Sequence, residues 1–176
     1  MAGVSTDPII SWWNRQNTQQ ITQWDIGVVD AGTESPHLGV LIWNNRGGSQ
    51  DVANIVEATL TTRDMDAGDT GHVVAGRWIR VRVDSISEAV FTPIGKDAYH
   101  PVRTVGTTVN DDGSHTPEVP PHTSPAGTVC ALGVKNDGTL QNAKGNYIEC
   151  TLLAFPDALA PAGTFEFVVR LSYTFT

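Results

Sequence analysis

Residues 164–176 read TFEFVVRLSYTFT. Phe165, Phe167, Val169, Leu171, Tyr173 and Phe175 fall on one side of an extended chain, and Glu166, Arg170, Ser172, Thr174 and Thr176 on the other, with Val168 the exception. Side chains alternate across a strand but wind round a helix every ~3.6 residues, so this run fits β structure and no helix. A strand this apolar on one side is expected in the core of a sandwich.

The same period recurs upstream, each run closed by Gly, Asn, Asp or Pro. HLGVLIWNN sets Leu38, Val40 and Ile42 against Leu41 and Trp43, which implies a strand covered on both faces. VEATLTTRD alternates Val56, Ala58 and Leu60 with Glu57, Thr59 and Thr61, and RWIRVRVDS sets Ile79, Val81 and Val83 against Arg80, Arg82 and Asp84. GTVCALGVKNDG and NYIECTLLAF read as two strands of a hairpin with a loop around Asn136-Asp137-Gly138. DVANIVEA is expected to form one helical turn at most. With 17 Gly, 10 Pro, 40% hydrophobic and 17% charged residues, the 176-residue chain reads as one all-β domain, an antiparallel β-sandwich of jelly-roll type.

Two segments stand outside that pattern. Residues 1–20 are mostly polar, with SWWNRQNTQQ interrupted by the adjacent Trp12 and Trp13, whose side chains must point in opposite directions on an extended chain. They are read as an extended N-terminal arm packing on a neighbouring subunit, with residues 21–176 as the sandwich; the alternative is a first strand with one Trp on its own core. Residues 106–127, GTTVNDDGSHTPEVPPHTSPAG, carry His115, Pro120 and His122 and few apolar side chains. Long structureless loops are uncommon in compact domains, so this one reads either as an exposed projection touching a partner or as a mobile hairpin end.

Candidate chemistry is sparse. Asp64, Asp66, Asp69 and His72 crowd TTRDMDAGDTGHVVAGRW, but an EF-hand counted from Asp64 would find Gly68 at its fifth position, Asp69 at the sixth and Ala75 at the twelfth. The stretch therefore reads as a solvated turn in preference to an irregular calcium loop. His72, His100, His115 and His122 reach no zinc spacing, and no nucleophile elbow or phosphate loop is present. No cofactor, metal or catalytic residue is expected, and the chain is read as a non-enzyme. A net charge of -8 with 11 basic residues argues against nucleic-acid binding. The opening MAGVSTDPIISWWNR lacks the basic and apolar regions of a signal peptide, and no run is long enough to cross a bilayer, so a soluble chain made in a cytosol is expected. Cys130 and Cys150 lie in apolar runs and either pair across strands or stay as buried thiols, the second being favoured without a secretory context. Trp12, Trp13, Trp24, Trp43 and Trp78 are candidates for a sugar-stacking platform, with Trp43 and Trp78 placed in strands.

The order IWNNRGGSQDVANIVEATLTTRD, GRWIRVRVDS, FTPIG and FPDALAPAGTFEFVVRLSYTF resembles small all-β virion proteins of tailed bacteriophages, over roughly residues 22 to 105 and 147 to 176. The resemblance implies a structural part of the particle, foremost a capsid decoration or cement protein on the outer shell, assembled in the host cytoplasm and clamping the major capsid protein. Other virion proteins are possible partners if it is a neck or tail subunit, and self-association into a homo-oligomer is expected. A carbohydrate-binding module is the reading from a different class. Trp12, Trp13, Trp24, Trp43, His115, Pro120 and His122 are the candidate partner-contact residues.

Overall fold

A computed structural model describes residues 6–104, 108–109, 115–116, 129–143 and 145–176. Its strands are β1 (Ile10–Asn14), β2 (Leu38–Asn44), β3 (Ile55–Arg63), β4 (Ile79–Val83), β5 (Thr92–Ile94), β6 (His100–Pro101), β7 (Thr108–Val109), β8 (His115–Thr116), β9 (Val129–Ala131), β10 (Tyr147–Ala154) and β11 (Val168–Phe175). One helical turn, α1 (His72–Ala75), and a 3-10 turn at Asp84–Ile86 complete it. The strands form a five-stranded sheet, β1-β2-β10-β4-β5, and a second sheet, β11-β3-β6, with β9 also on β3; β7 and β8 pair with each other. All pairings are antiparallel. The expected all-β sandwich is what the sheets make.

Alternation decides the inner face of each strand. Val40 and Ile42 of β2, Val81 and Val83 of β4, and Ile148, Cys150 and Leu152 of β10 meet Ile55, Ala58 and Leu60 of β3 and Cys130 of β9 in one buried cluster. Register aligns the layers: Ile42 lies between Trp12 and Ile148, and Leu152 lies opposite both Leu38 and Val81. Strand β3 breaks step once. Its pairing shifts between Thr59 opposite Ser172 and Val56 opposite Thr174, and Glu57 there adopts φ 54°, so an extra β3 residue bulges out opposite Tyr173.

Three expectations need correction. The supposed arm is, over Ile10–Asn14, an edge strand hydrogen-bonded along β2, because Trp12 buries against the core while Trp13 serves the opposite face. The proposed hairpin does not form: β9 pairs with β3 and β10 lies between β2 and β4, so the two strands belong to different sheets. Residues 51–58, expected to hold one helical turn at most, hold none, and among the described residues the α-helical turn is α1, within the aspartate-rich stretch. The final strand is an edge, where Val169, Leu171 and Tyr173 are only half-buried and Phe175 is 50% exposed. Alternation reports which side of a strand is apolar; it does not report how many neighbours the strand has.

The outer face of β2 is covered, as its two-sided apolar pattern implied: Leu41 and Trp43 are 1% and 0% exposed. They sit in a small cluster with Ala143, Trp13 and Tyr147, and the Arg46 guanidinium lies 3.5 Å from the centroid of the Trp13 ring. The cover is this chain's own segment 132–146, held by asparagines. Asn45 Nδ2 donates to Gln50 O (2.7 Å) and Gly133 O (2.8 Å), and Asn146 Nδ2 donates to Val134 O (2.7 Å) and Leu132 O (3.0 Å). Asn136 Nδ2 donates to Asn45 O at 2.7 Å. These side chains replace the water that the loop carbonyls lose on burial.

Candidate functional site

The aspartate-rich stretch folds into a locked turn. Asp64 Oδ2 accepts the backbone N–H groups of Thr70 and Gly71, both at 2.9 Å, and Asp66 Oδ1 accepts that of Gly68 at 2.9 Å. Asp69 faces Arg63 and Lys96 at 3.7 and 3.9 Å. A Cβ at Gly71 would stand 2.4 Å from Asp64 Oδ1, so a side chain there would have to push the carboxylate aside. The acids thus spend lone pairs on the chain's own amides, as Asx turns do. Among the described residues no group of three or more His, Cys, Asp or Glu is placed to hold a metal ion.

The turn delivers α1 and then Trp78, which the sequence alone left as a strand residue. The Trp78 N–H bonds to Val73 O (3.0 Å), Phe155 N–H to Trp78 O (2.7 Å), and the indole Nε1 donates to Asp157 Oδ2 at 3.0 Å. His72 stacks on Trp78 with centroids 6.2 Å apart, and Phe165 sits edge-on to both at 5.5 and 5.3 Å. Beside them lies an open depression of about 250 Å³ lined by His72, Gly76, Trp78, Asp157, Leu159 and Pro161. Small-molecule sites enclose more, roughly 300–1,000 Å³.

The same end of the sandwich presents apolar tips. Ala160 N–H bonds to Asp157 O at 2.9 Å, closing a tight turn that leaves Leu159 95% exposed. A second loop is tied to this one through Gly32 N–H to Pro156 O at 2.9 Å, and in it Val28 is 96% exposed, just past Gly27 with φ 75°. The strand-like segment leading there is anchored by Trp24, edge-on to Phe167 at 6.1 Å, and by Ile21 and Ile26 on the core. Both tips therefore stand on backbone-bonded loops. Sequence reasoning passed over them because a single apolar residue in a Gly- and Pro-rich stretch carries no periodic signal.

A polar network occupies the middle of the larger sheet's outer face. Asp84 Oδ2 accepts from Arg15 Nη2 and Thr151 Oγ1, each at 2.6 Å, and Oδ1 accepts from Arg82 Nε at 2.8 Å. Arg15 also meets Glu149 at 2.7 Å. Burial works to raise the Asp84 pKa, and the bonds from Thr151, Arg82 and Arg15 outweigh it, holding the carboxyl below its ordinary value. Nearby, Glu88 takes the Val83 N–H at 2.8 Å and contacts His100 Nε2 at 2.8 Å. The wet face expected of β4 is thus a set of stacked and paired cations, with Arg82 over Phe91 at 4.8 Å and Arg80 over Phe155 at 4.2 Å.

The structure disperses the sequence-proposed contact residues. Trp12 and Trp24 are half-buried on the main core, Trp13 is half-buried on the opposite face beneath Arg46, and Trp43 is wholly buried. Trp43 offers no surface to a partner, which removes it as a contact residue. His115 lies in β8, while Pro120 and His122 lie outside the described residues. Cys130 and Cys150 are buried thiols, not a disulfide.

Among the described residues no helix is long and apolar enough to cross a membrane. No protein-family model, no curated protein and no solved structure matches the chain.

Proposed function

We propose that this chain is a non-enzymatic structural protein of a phage particle, a decoration subunit that attaches to the outer shell and braces neighbouring capsid subunits. The observation that supports the reading is the pair of exposed apolar tips, Val28 and Leu159, on two loops joined through Gly32 and Pro156, with Leu159 at the rim of a shallow depression. Isolated exposed residues are ordinary, but two nearly fully exposed aliphatic residues on loops bonded to one another are suited to contact with another protein. The carboxylates of Asp64, Asp66 and Asp84 are committed to the fold, which is consistent with a part that works by buried area and copy number. A neck or tail position would use the same surface with fewer copies. Carbohydrate binding has less support, since none of the five tryptophans is an exposed residue.

The test is attachment. Particles lacking this polypeptide are mixed with the wild-type chain or with the Val28→Asp, Leu159→Asp double variant and then sedimented. Wild type is expected to co-sediment to saturation, and the variant to remain in the supernatant with an unchanged melting temperature. A variant that still saturates the particle, or a wild type that never binds, would overturn the reading.

A further inference from the structure

We propose that the free edge of β11 pairs with the same edge of a second copy, joining two sandwiches through one continuous sheet about a two-fold axis. The inference rests on the strand edge alone and does not depend on whether the chain joins a phage shell.

An unpaired edge strand is a template for another strand, and proteins usually blunt it by shortness, Pro, charge, bulges or a covering segment. The other edges here are treated that way. Strand β5 has three residues with Pro93 at its centre, β6 has two including Pro101, and β9 has three. The outer edge of β1 is covered by its own return, with Ile21 N–H on Trp12 O (2.8 Å) and Asn14 N–H on Gln19 O (2.9 Å).

Strand β11 is left open. It runs eight residues without proline, carries Arg170 as its only charge, and among the described residues pairs only with β3. Its single irregularity belongs to β3, at Glu57, so β11 itself stays regular. Among the described residues no backbone group bonds to its far edge. Val169, Leu171 and Tyr173 are half-buried, against 0% for Ala58 and Leu60 on β3, and the described neighbour on this side, Trp24, packs on Phe167 ahead of the strand.

Geometry fixes which groups face the open edge. Thr176 exchanges both backbone bonds with Asn54 (2.9 and 3.1 Å), so Thr174, Ser172, Arg170 and Val168 turn their amides toward β3. The N–H and C=O groups of Val169, Leu171, Tyr173 and Phe175 consequently point outward. Two such edges related by a two-fold through Leu171 bring Leu171 opposite Leu171, Val169 opposite Tyr173, and the half-exposed Phe175 opposite Phe167. Arg170 then faces Ser172 of the other copy, in the closely spaced non-hydrogen-bonded position. Centring on Arg170 would set two arginines against each other and is disfavoured.

An edge-only contact falls below the roughly 1,000 Å² of a stable interface, so the dimer is expected to be weak and to form at high protein concentration. Sedimentation velocity of the full chain at concentrations up to about 1 mM, where even a binding free energy near -4 kcal/mol becomes visible, reads it directly. Ser172→Glu creates two symmetric pairs with Arg170 and is expected to tighten the dimer by about 2- to 30-fold, while Ser172→Arg weakens it by a similar factor. The Arg170→Glu, Ser172→Arg double variant exchanges the partners and restores association, which separates a register effect from misfolding. A chain that stays monomeric throughout, a dimer indifferent to both single substitutions, or one weakened by Ser172→Glu would overturn the proposal.

Discussion

Replacing Asp84 by Asn removes the one group that three donors share. Whichever oxygen becomes an NH2, a donor then meets a donor: Arg82 Nε on the Oδ1 side, or Arg15 and Thr151 on the Oδ2 side. A hydrogen bond to a charged group contributes about 1.5–3 kcal/mol, and loss of a fully buried partner costs more. Here the side chains of Arg15 and Arg82 are 34% and 33% exposed and regain water, which brings the expected cost to about 2 kcal/mol. For a chain of this size that is a fall of about 4–8 °C in melting temperature at pH 7. The dependence on pH has a definite sign. Because the folded-state pKa of Asp84 lies below its ordinary value of 3.8, its stabilisation is present above that value and is lost as pH falls through the lowered pKa. The gap between wild type and Asp84→Asn, followed by circular dichroism during heating and in urea, should be full at pH 7 and shrink only below about pH 4. A gap that is absent at pH 7, or that is unchanged on acidification to pH 2 with both proteins still folded, refutes the assignment.

Asn45→Ala, at a position 2% exposed, leaves the Gln50 carbonyl without its side-chain donor and the Gly133 carbonyl with the Val52 N–H alone, and a loss of about 1–3 kcal/mol is expected in urea unfolding; a loss under about 0.5 kcal/mol would contradict the role given to this side chain. Calcium and EDTA should give the same melting midpoint, since the Asp64 carboxylate is occupied by the Thr70 and Gly71 amides; a midpoint raised by calcium would show a native-state site. Cys130 and Cys150 are both 0% exposed, and burial pushes the Cys150 thiol well above its usual range, so a disulfide-exchange dye should report no fast thiol in the native protein and two after denaturation. A native thiol that reacts within mixing time would place one of them at the surface.

The strands that bury one face announced themselves. In β4, Ile79, Val81 and Val83 point inward and Arg80 and Arg82 outward, as the alternation dictates. The double cover of β2 was also readable from Leu41 and Trp43, but the cover itself was not. It is supplied by segment 132–146, brought there by Asn45, Asn136 and Asn146 across gaps of up to 91 residues. A buried asparagine and a turn asparagine look alike in a sequence. The hairpin failed for a related reason, because pairing between β9 and β3 spans over 70 residues while the turn signal at Asn136-Asp137-Gly138 is local. Within the candidate site, Trp78 was visible as an aromatic in a strand run, but its union with His72, Asp157 and Phe165 depends on three separate loops. Leu159 and Val28 were invisible because exposure is a property of the folded surface.

The most direct measurement of the proposed role is the copy number of this polypeptide in purified phage particles from cells that encode it, set against the major shell protein by quantitative mass spectrometry. Hundreds of copies in simple proportion to the shell protein are the expected result. A handful per particle would move the chain to the neck or tail, and its absence from particles would contradict the structural role altogether.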